Sequence, residues 1–169
     1  MDVGQVSGLC LAGPGAEGAA RAMAVSLLAH HGPDALGEVL TISGWGLVPG
    51  LERIRGVYLE EDLAGVVQRI QGELIRRERT LAALPAEDFV ASAATDDPLT
   101  ALLVLLPTEA LEPASRLAEM EALLEQGRRC GVAVVLVGTA PPAGSYREVV
   151  VAADGSLATA GAALSLIHI

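Results

Sequence analysis

Short apolar runs alternate with amphipathic stretches along most of the chain. Runs of strand length predict β-strands, and apolar residues at helical spacing predict α-helices. The predicted strands cover residues 8–12, 38–43, 57–59, 99–106 and 132–137. The predicted helices cover residues 16–31, 62–84 and 117–129. Strands that alternate with helices indicate an α/β fold, with a mainly parallel sheet covered by helices on both faces.

Two further features add detail to this pattern of strands and helices. Residues 147–152 and 156–160 flank Asp154–Gly155, a dipeptide typical of tight hairpin turns, and therefore predict a C-terminal β-hairpin. The helix predicted over 62–84 carries Arg76, Arg77 and Arg79 in its C-terminal half, where positive charge favours the helix dipole.

Composition narrows the class of protein. The 169 residues suit one domain, and with only 2% aromatic residues the core must consist of Leu, Val and Ala. The net charge of −10 disfavours non-specific nucleic-acid binding, which depends on phosphate neutralisation. Cys10 and Cys130 lie in or beside apolar runs and predict buried thiols rather than a disulfide. No apolar run is long enough to span a bilayer, and the N-terminal residues form no basic leader region. We therefore expect a cytoplasmic domain.

The last six residues, LSLIHI, depart from the pattern. They equal one reading frame of a transposon end sequence that is used to prepare sequencing libraries. We therefore expect a single domain over residues 8–163 and a non-native tail over 164–169. The native chain would continue after about Ala163.

The stretch around the first strand is the most informative for chemistry. An apolar strand runs into a glycine-rich turn and then into an Ala-rich helix, the arrangement of a phosphate-binding unit. Gly13 and Gly18 have the spacing of the Walker A motif GxxxxGK[ST], and Gly15 lies between them. Ala19 and Ala20 stand where the motif has Lys and Ser/Thr, and all eleven cationic side chains of the chain are Arg.

These substitutions predict that phosphate chemistry has been lost while the backbone frame remains. Without the lysine and the magnesium-binding hydroxyl, hydrolysis is not expected, and Gly13, Gly15 and Gly18 would form at most a weak anion-binding loop. Arg21 comes two positions too late to replace the lysine and is a candidate anion or partner contact. The alternative is that the glycines only let strand and helix pack closely.

The same glycines also fit the dinucleotide motif GxGxxG. A dinucleotide site needs an acidic residue at the end of the second strand to bind the ribose. That strand ends in Thr41, Ile42 and Ser43, so this alternative lacks its supporting residue.

The second half of the ATPase signature is also altered. A Walker B strand ends in Asp, often followed by Glu, whereas the run that ends at Leu106 continues with Pro107, Thr108 and Glu109. We expect Glu109 to open a helical turn. His30 and His31 are expected to be exposed residues at a helix end, and no residue pattern predicts a metal site or a catalytic group.

Residues 126–141, QGRRCGVAVVLVGTAP, carry a resemblance to a known family. A helix that ends in Gly127, Arg128 and Arg129, followed by an apolar strand and a polar exit, resembles the FtsK/SpoIIIE/HerA branch of P-loop motors. The order of features from Gly8 to Pro141 agrees, including a helix with Glu73, Arg76 and Arg77. The resemblance implies an FtsK-type P-loop core, with Arg128 and Arg129 as candidate anion or partner contacts. Departures at Ala19, Ala20 and the residues after Leu106 place ATP hydrolysis and DNA pumping in doubt.

The chain is also similar to a degenerate domain of large actinobacterial proteins that carry LysM and bacterial transcriptional activator (BTAD) segments. That similarity rests on the GPGAE opening and the Asp154–Gly155 hairpin. It implies a non-catalytic regulatory or scaffolding module in a longer protein, tethered to the membrane only through other parts of that chain. Expected partners are the other domains of the same chain, a separate protein or a second copy, and no cofactor is required. One alternative is a nucleotide-binding subunit whose missing cation comes from a partner; another is the dinucleotide-binding domain.

Overall fold

A computed structural model describes residues 8–30, 37–46, 48–84, 87–93, 99–112, 114–139 and 146–159. The strands are β1 (Gly8–Ala12), β2 (Glu38–Ile42), β3 (Val57–Glu60), β4 (Leu102–Pro107), β5 (Val132–Val137), β6 (Arg147–Val151) and β7 (Leu157–Thr159). The helices are α1 (Ala16–His30), α2 (Leu63–Ala83), α3 (Phe89–Ser92) and α4 (Ala114–Gly127). Single 3-10 turns lie at Thr108–Leu111 and Arg128–Cys130.

The seven strands form one sheet in the order β3-β2-β4-β5-β1-β6-β7. Every neighbouring pair is parallel except β6 and β7, which form the antiparallel hairpin predicted around Asp154–Gly155. Gly155 has a φ of +83°, the left-handed conformation that such a turn requires. The mainly parallel α/β fold and its C-terminal hairpin are therefore confirmed.

Helices cover both faces of the sheet, and a separate apolar layer fills each side. On one face α2 and α4 pack through residues such as Ile70 and Met120 against alternate strand residues, among them Val104 and Val134. On the other face α1 packs through its alanines, including Ala20, against the intervening residues. Both central strands β4 and β5 are buried at every position, which explains their unbroken apolar sequences.

Local sequence signals fix the ends of α2. The Asp62 carboxylate accepts a hydrogen bond from the Gly65 N–H at 2.9 Å and caps the first turn. Leu84, which precedes a proline in the sequence, has extended backbone and ends the helix. Among the described residues, no helix is both long and apolar enough to cross a bilayer.

The structure corrects the predicted elements in three places. The polar connection between α2 and β4 contains the short helix α3, capped by the Asp88 side chain, which is too brief to show a period in the sequence. Strand β4 begins at Leu102 instead of Leu99, and α4 begins at Ala114, earlier than predicted. Arg128 and Arg129 lie in a 3-10 turn beyond α4, before Gly131 adopts a left-handed φ of +70°.

Candidate functional site

The glycine turn lies at the carboxyl edge of the parallel sheet, the edge at which open α/β folds bind ligands. Strand β1 ends at Ala12 and α1 begins at Ala16, so the turn consists only of residues 13–15. Gly13 has a φ of +91°, which explains why a glycine is needed there. Gly18 is not part of the turn, because it already lies in the first turn of α1.

The turn is closed by the end of strand β6. The Gly15 N–H donates to the Val151 carbonyl at 3.0 Å. A Cβ on Gly13 would lie 2.6 Å from the same carbonyl oxygen, and a Cβ on Gly15 would overlap the carbonyl oxygen of Ala152. The glycines at 13 and 15 therefore allow a close approach of protein backbone in this structure.

Few backbone donors of the turn remain available to an anion. The Ala16 N–H donates to Gly13 O at 3.1 Å, and the Ala19 N–H donates to Gly15 O at 3.0 Å. Within the described residues, the amides of Glu17 and Gly18 have no backbone acceptor. The carboxylate of Glu17 in the first helical turn already interacts favourably with the helix dipole and would repel an anion.

The side chains at the altered Walker A positions contact the apolar layer between α1 and the sheet. Ala20 is completely buried and belongs to the apolar layer between α1 and the sheet. Ala19 is half-buried and packs against the same layer. A hydroxyl at position 20 would therefore enter apolar surroundings, where an unpaired polar group is costly.

The residues that follow β4 lie at the same carboxyl edge, and β5 lies between β4 and β1 in the sheet. Pro107 pairs with Val137, and Thr108–Leu111 forms a 3-10 turn, which confirms that Glu109 lies in a helical turn. A Cβ on Gly138 would lie 2.5 Å from the Thr108 hydroxyl and 3.8 Å from a Glu109 carboxylate oxygen. Glu109 is exposed and is the acidic residue that the structure places beside the tips of β4 and β5.

The predicted arginine contacts do not converge on the glycine turn. Arg128 and Arg129 precede β5 and lie at the amino edge of the sheet, separated from the turn by a six-residue strand, about 20 Å. The Arg129 guanidinium donates to the Glu87 carbonyl at 2.9 Å. Arg21 lies in the second turn of α1, half-buried and already engaged within the protein. The structure thus separates these three candidates into two regions.

A buried arginine at the amino edge was not identified from the sequence. Arg77 is completely buried, whereas the sequence indicated only that its positive charge favours the helix dipole. Its guanidinium donates to the carbonyls of Thr100 and Cys130 and forms ion pairs with Glu38 at 3.1 Å and Glu73 at 3.3 Å. Its position was a usable signal, because it continues the buried stripe of α2 at helical spacing.

The arginine network links α2 to three strands. Glu38 begins β2, Thr100 precedes β4, and Cys130 precedes β5. The second carboxylate oxygen of Glu38 accepts from the Tyr58 hydroxyl of β3 at 3.3 Å. Burial alone raises the pKa of Glu73, but hydrogen bonds and charge from Arg76 and Arg77 outweigh it and hold that pKa below its usual value.

Other buried polar groups have no evident chemistry. Cys10 and Cys130 are free buried thiols, as predicted, and burial raises the pKa of each, which keeps them neutral and unreactive. The hydroxyls of Thr41 and Tyr146 are buried without a hydrogen-bond partner in the described part of the chain. Burial first, and the charge of Glu121 second, raise the pKa of Tyr146 above its ordinary value. No three His, Cys, Asp or Glu side chains of the described ranges gather in a way that could hold a metal.

Comparison with known proteins identifies the class of fold. No protein-family model matches the chain, and no curated protein matches it significantly. Solved structures do match, and they show the fold of FtsK/SpoIIIE-type P-loop ATPase domains.

Among the matching structures are domains of the ATPases EccC and EssC. The cytoplasmic domain of the Thermomonospora curvata type VII secretion ATPase EccC matches with a TM-score of 0.63 and 20% identity, over 86% of this chain and 20% of that one. ATPases 2 and 3 of the same EccC, in complex with a signal sequence peptide, match with a TM-score of 0.62 and 12% identity, over 96% of this chain and 33% of that one. EssC (ATPases 2 and 3) from Geobacillus thermodenitrificans matches with a TM-score of 0.58 and 14% identity, over 85% of this chain and 31% of that one.

The strand order also argues against the dinucleotide alternative. In the dinucleotide-binding fold the second strand neighbours the first, so that its terminal acid reaches the ribose. Here β1 lies between β5 and β6, and β4 and β5 separate it from β2. The end of β2 is therefore about 14 Å from the glycine turn, at the usual strand spacing.

Proposed function

We propose that this chain is a non-catalytic domain derived from an FtsK-type P-loop ATPase, and that it works as a regulatory or scaffolding module of a longer protein. The observation that carries the proposal is the closed glycine turn. The Val151 carbonyl of β6 accepts a hydrogen bond from the Gly15 N–H, a donor that would otherwise be available to a phosphate. Helix α1 begins directly after the turn.

The side chains support the same conclusion. Ala19 and Ala20 provide neither a cation for the terminal phosphates nor a hydroxyl for magnesium. Pro107 and Thr108 stand where a Walker B strand would present its carboxylate. Because these changes all affect one catalytic cycle, we infer that the domain keeps the fold for its shape and its surfaces.

The module would act within a larger assembly. The chain spans only a fifth to a third of the length of the ATPases it matches, which contain several ATPase units. The other domains of its own chain are then the expected partners, with an output such as the transcriptional regulation implied by the LysM- and BTAD-containing proteins. A nucleotide-binding role with a cation supplied in trans would require the turn to open, because a partner's arginine does not release the Gly15 amide.

The proposal is tested by calorimetric titration of the chain with magnesium and ATP. Three proteins are compared: the native chain, the double variant Ala19→Lys/Ala20→Ser, and Ala22→Lys. The last adds the same charge at an exposed position one turn further along α1. Circular dichroism first establishes that each variant is folded.

We expect no binding heat from any of the three proteins, because the Gly15 amide donates to β6 and the Glu17 carboxylate lies beside the two amides that lack a backbone acceptor. Micromolar binding by the native chain would overturn the proposal and favour a nucleotide sensor. Binding by the double variant alone would show that the turn opens, and that only the side chains had been lost.

A further inference from the structure

The connection between β2 and β3 presents an exposed basic tip. Residues 49–56 form consecutive turns instead of a helix, held by backbone bonds that include Ile54 N–H to Leu51 O and Val57 N–H to Ile54 O. Ile54 is 43% exposed, and the exposed Arg53 and Arg55 flank it. We call residues Arg53, Ile54 and Arg55 the basic tip.

The cations of the basic tip belong to the arginines that no described residue pairs with, together with Arg79, Arg116 and Arg147. All eleven arginines fall within the described residues. Arg69, Arg76 and Arg77 pair with carboxylates, and Arg129 bonds a carbonyl. Arg53 and Arg55 make no ion pair or hydrogen bond with any described residue, and they flank the same exposed apolar side chain. An isolated exposed isoleucine is ordinary, but one between two unpaired cations is suited to contact an acidic surface with an apolar floor.

The same molecule carries such a surface. A groove of about 460 Å³ lies between the C-terminal ends of α2 and α4. Its apolar floor includes Leu81 and Cys130, and the carboxylates of Glu78 on α2 and Glu125 on α4 line it from the two helices. Arg129 also lines the groove and donates to the Glu87 carbonyl, so the groove carries two carboxylates against one cation. We call this space the acidic groove; its volume falls within the range of roughly 300–1,000 Å³ found for ligand pockets.

Both features lie at the amino edge of the sheet. The basic tip immediately precedes β3, and the acidic groove is formed where α2 and α4 end, beside the start of β5. A two-fold axis that places two amino edges against each other would therefore let each tip enter the other chain's groove. Such an arrangement is closed, and it satisfies both contacts at once.

We propose that a second copy of this chain docks through the basic tip and the acidic groove to form a symmetric dimer. Arg53 and Arg55 meet Glu78 and Glu125 of the other copy, while Ile54 covers the floor at Leu81. The dimer leaves the carboxyl edges, with their glycine turns, facing away from each other. Formation of this dimer does not require nucleotide, so a test of the dimer is independent of the proposed role of the glycine turn.

A charge-reversal experiment tests the dimer by sedimentation equilibrium. One variant is Arg53→Glu/Arg55→Glu and the other is Glu78→Arg/Glu125→Arg, each of which places like charges at both contacts of its own dimer. The control variant is Arg116→Glu, which reverses a charge at an exposed position in the first turn of α4, toward the opposite edge of the sheet. Circular dichroism confirms that all variants are folded.

The native chain and the control are expected to be dimers, and each reversed variant a monomer, with association weakened by roughly a hundredfold or more. An equimolar mixture of the two reversed variants is expected to restore the dimer, since every tip then meets a groove of opposite charge. A monomeric native chain would overturn the proposal. So would reversed variants that still dimerise, or a mixture that stays monomeric.

Discussion

The two edges of the sheet use polar groups in opposite ways. At the amino edge a buried arginine is matched by two carboxylates and two carbonyls, and this network joins α2 to the starts of β2, β4 and β5. At the carboxyl edge, where a P-loop would concentrate charge, the glycine turn contacts the backbone of β6 and is followed by two alanines. Polar side chains therefore stabilise the fold at the amino edge, whereas backbone contacts and small apolar side chains form the glycine turn at the carboxyl edge.

The largest expected effect is at the amino edge. Arg77→Met removes a buried cation and leaves Glu38 and Glu73 without it, so the free energy of unfolding should fall by about 3–5 kcal/mol. Urea denaturation measures the loss. Arg79→Met, at an exposed position of the same helix, is the control and should change stability by no more than about 0.5 kcal/mol. Equal effects of the two substitutions would contradict a stabilising role of the buried Arg77 network.

The next effect distinguishes the glycines of the carboxyl edge. Gly15→Ala brings a Cβ onto the Ala152 carbonyl and should destabilise the chain by about 1–3 kcal/mol. Gly18→Ala meets open space within a helix and should stabilise it by up to about 1 kcal/mol. Thermal denaturation of both variants measures the difference. A harmless Gly15→Ala would show that β6 does not close the turn.

A smaller effect is expected at Thr41, whose hydroxyl is buried on β2 without a described partner. Thr41→Val keeps the shape and removes the unpaired group, so we expect a gain of about 1 kcal/mol in urea denaturation. Thr80→Val, at a hydroxyl that bonds the Arg76 carbonyl on the surface of α2, is the matched control and should show no such gain. A loss of stability in Thr41→Val would mean that the hydroxyl is hydrogen-bonded in solution.

The smallest effect is the acid sensitivity of the Arg77 network. The pKa of Glu73 is lowered in the folded chain, so its carboxylate contributes stability at neutral pH. This contribution is lost as the pH falls through the folded pKa, which lies below the ordinary value for glutamate. In Glu73→Gln, unfolding free energy should decline less steeply over that acid range than in the native chain. Glu61→Gln, an exposed residue outside the network, should retain the native slope.

Local patterns predicted most of the fold. Strands β1 and β5 have the predicted bounds, because each is an apolar run that ends at a glycine. The hairpin followed from Asp154–Gly155 in the same way. The short helix α3 and the late start of β4 escaped prediction, because four residues show no period and apolar character alone does not mark where strand pairing begins.

The candidate site was less predictable, because its state depends on distant parts of the chain. The positions of Gly13 and Gly15 followed from the sequence, but the carbonyls that close the turn come from β6, near the other end of the chain. Likewise, Arg77 lies on the apolar stripe of α2. Its burial is favourable because Glu38 and the carbonyls of Thr100 and Cys130, which are distant in sequence, pair with it in the fold.

Amide hydrogen exchange of Gly15, followed by NMR, tests the claim that β6 holds the glycine turn closed. We expect the Gly15 amide to exchange slowly in the free chain, at a rate that does not change when magnesium and ATP are added. A Gly15 amide that exchanges rapidly in the free chain and becomes protected with magnesium and ATP would contradict the claim, because the turn would then be an open phosphate site.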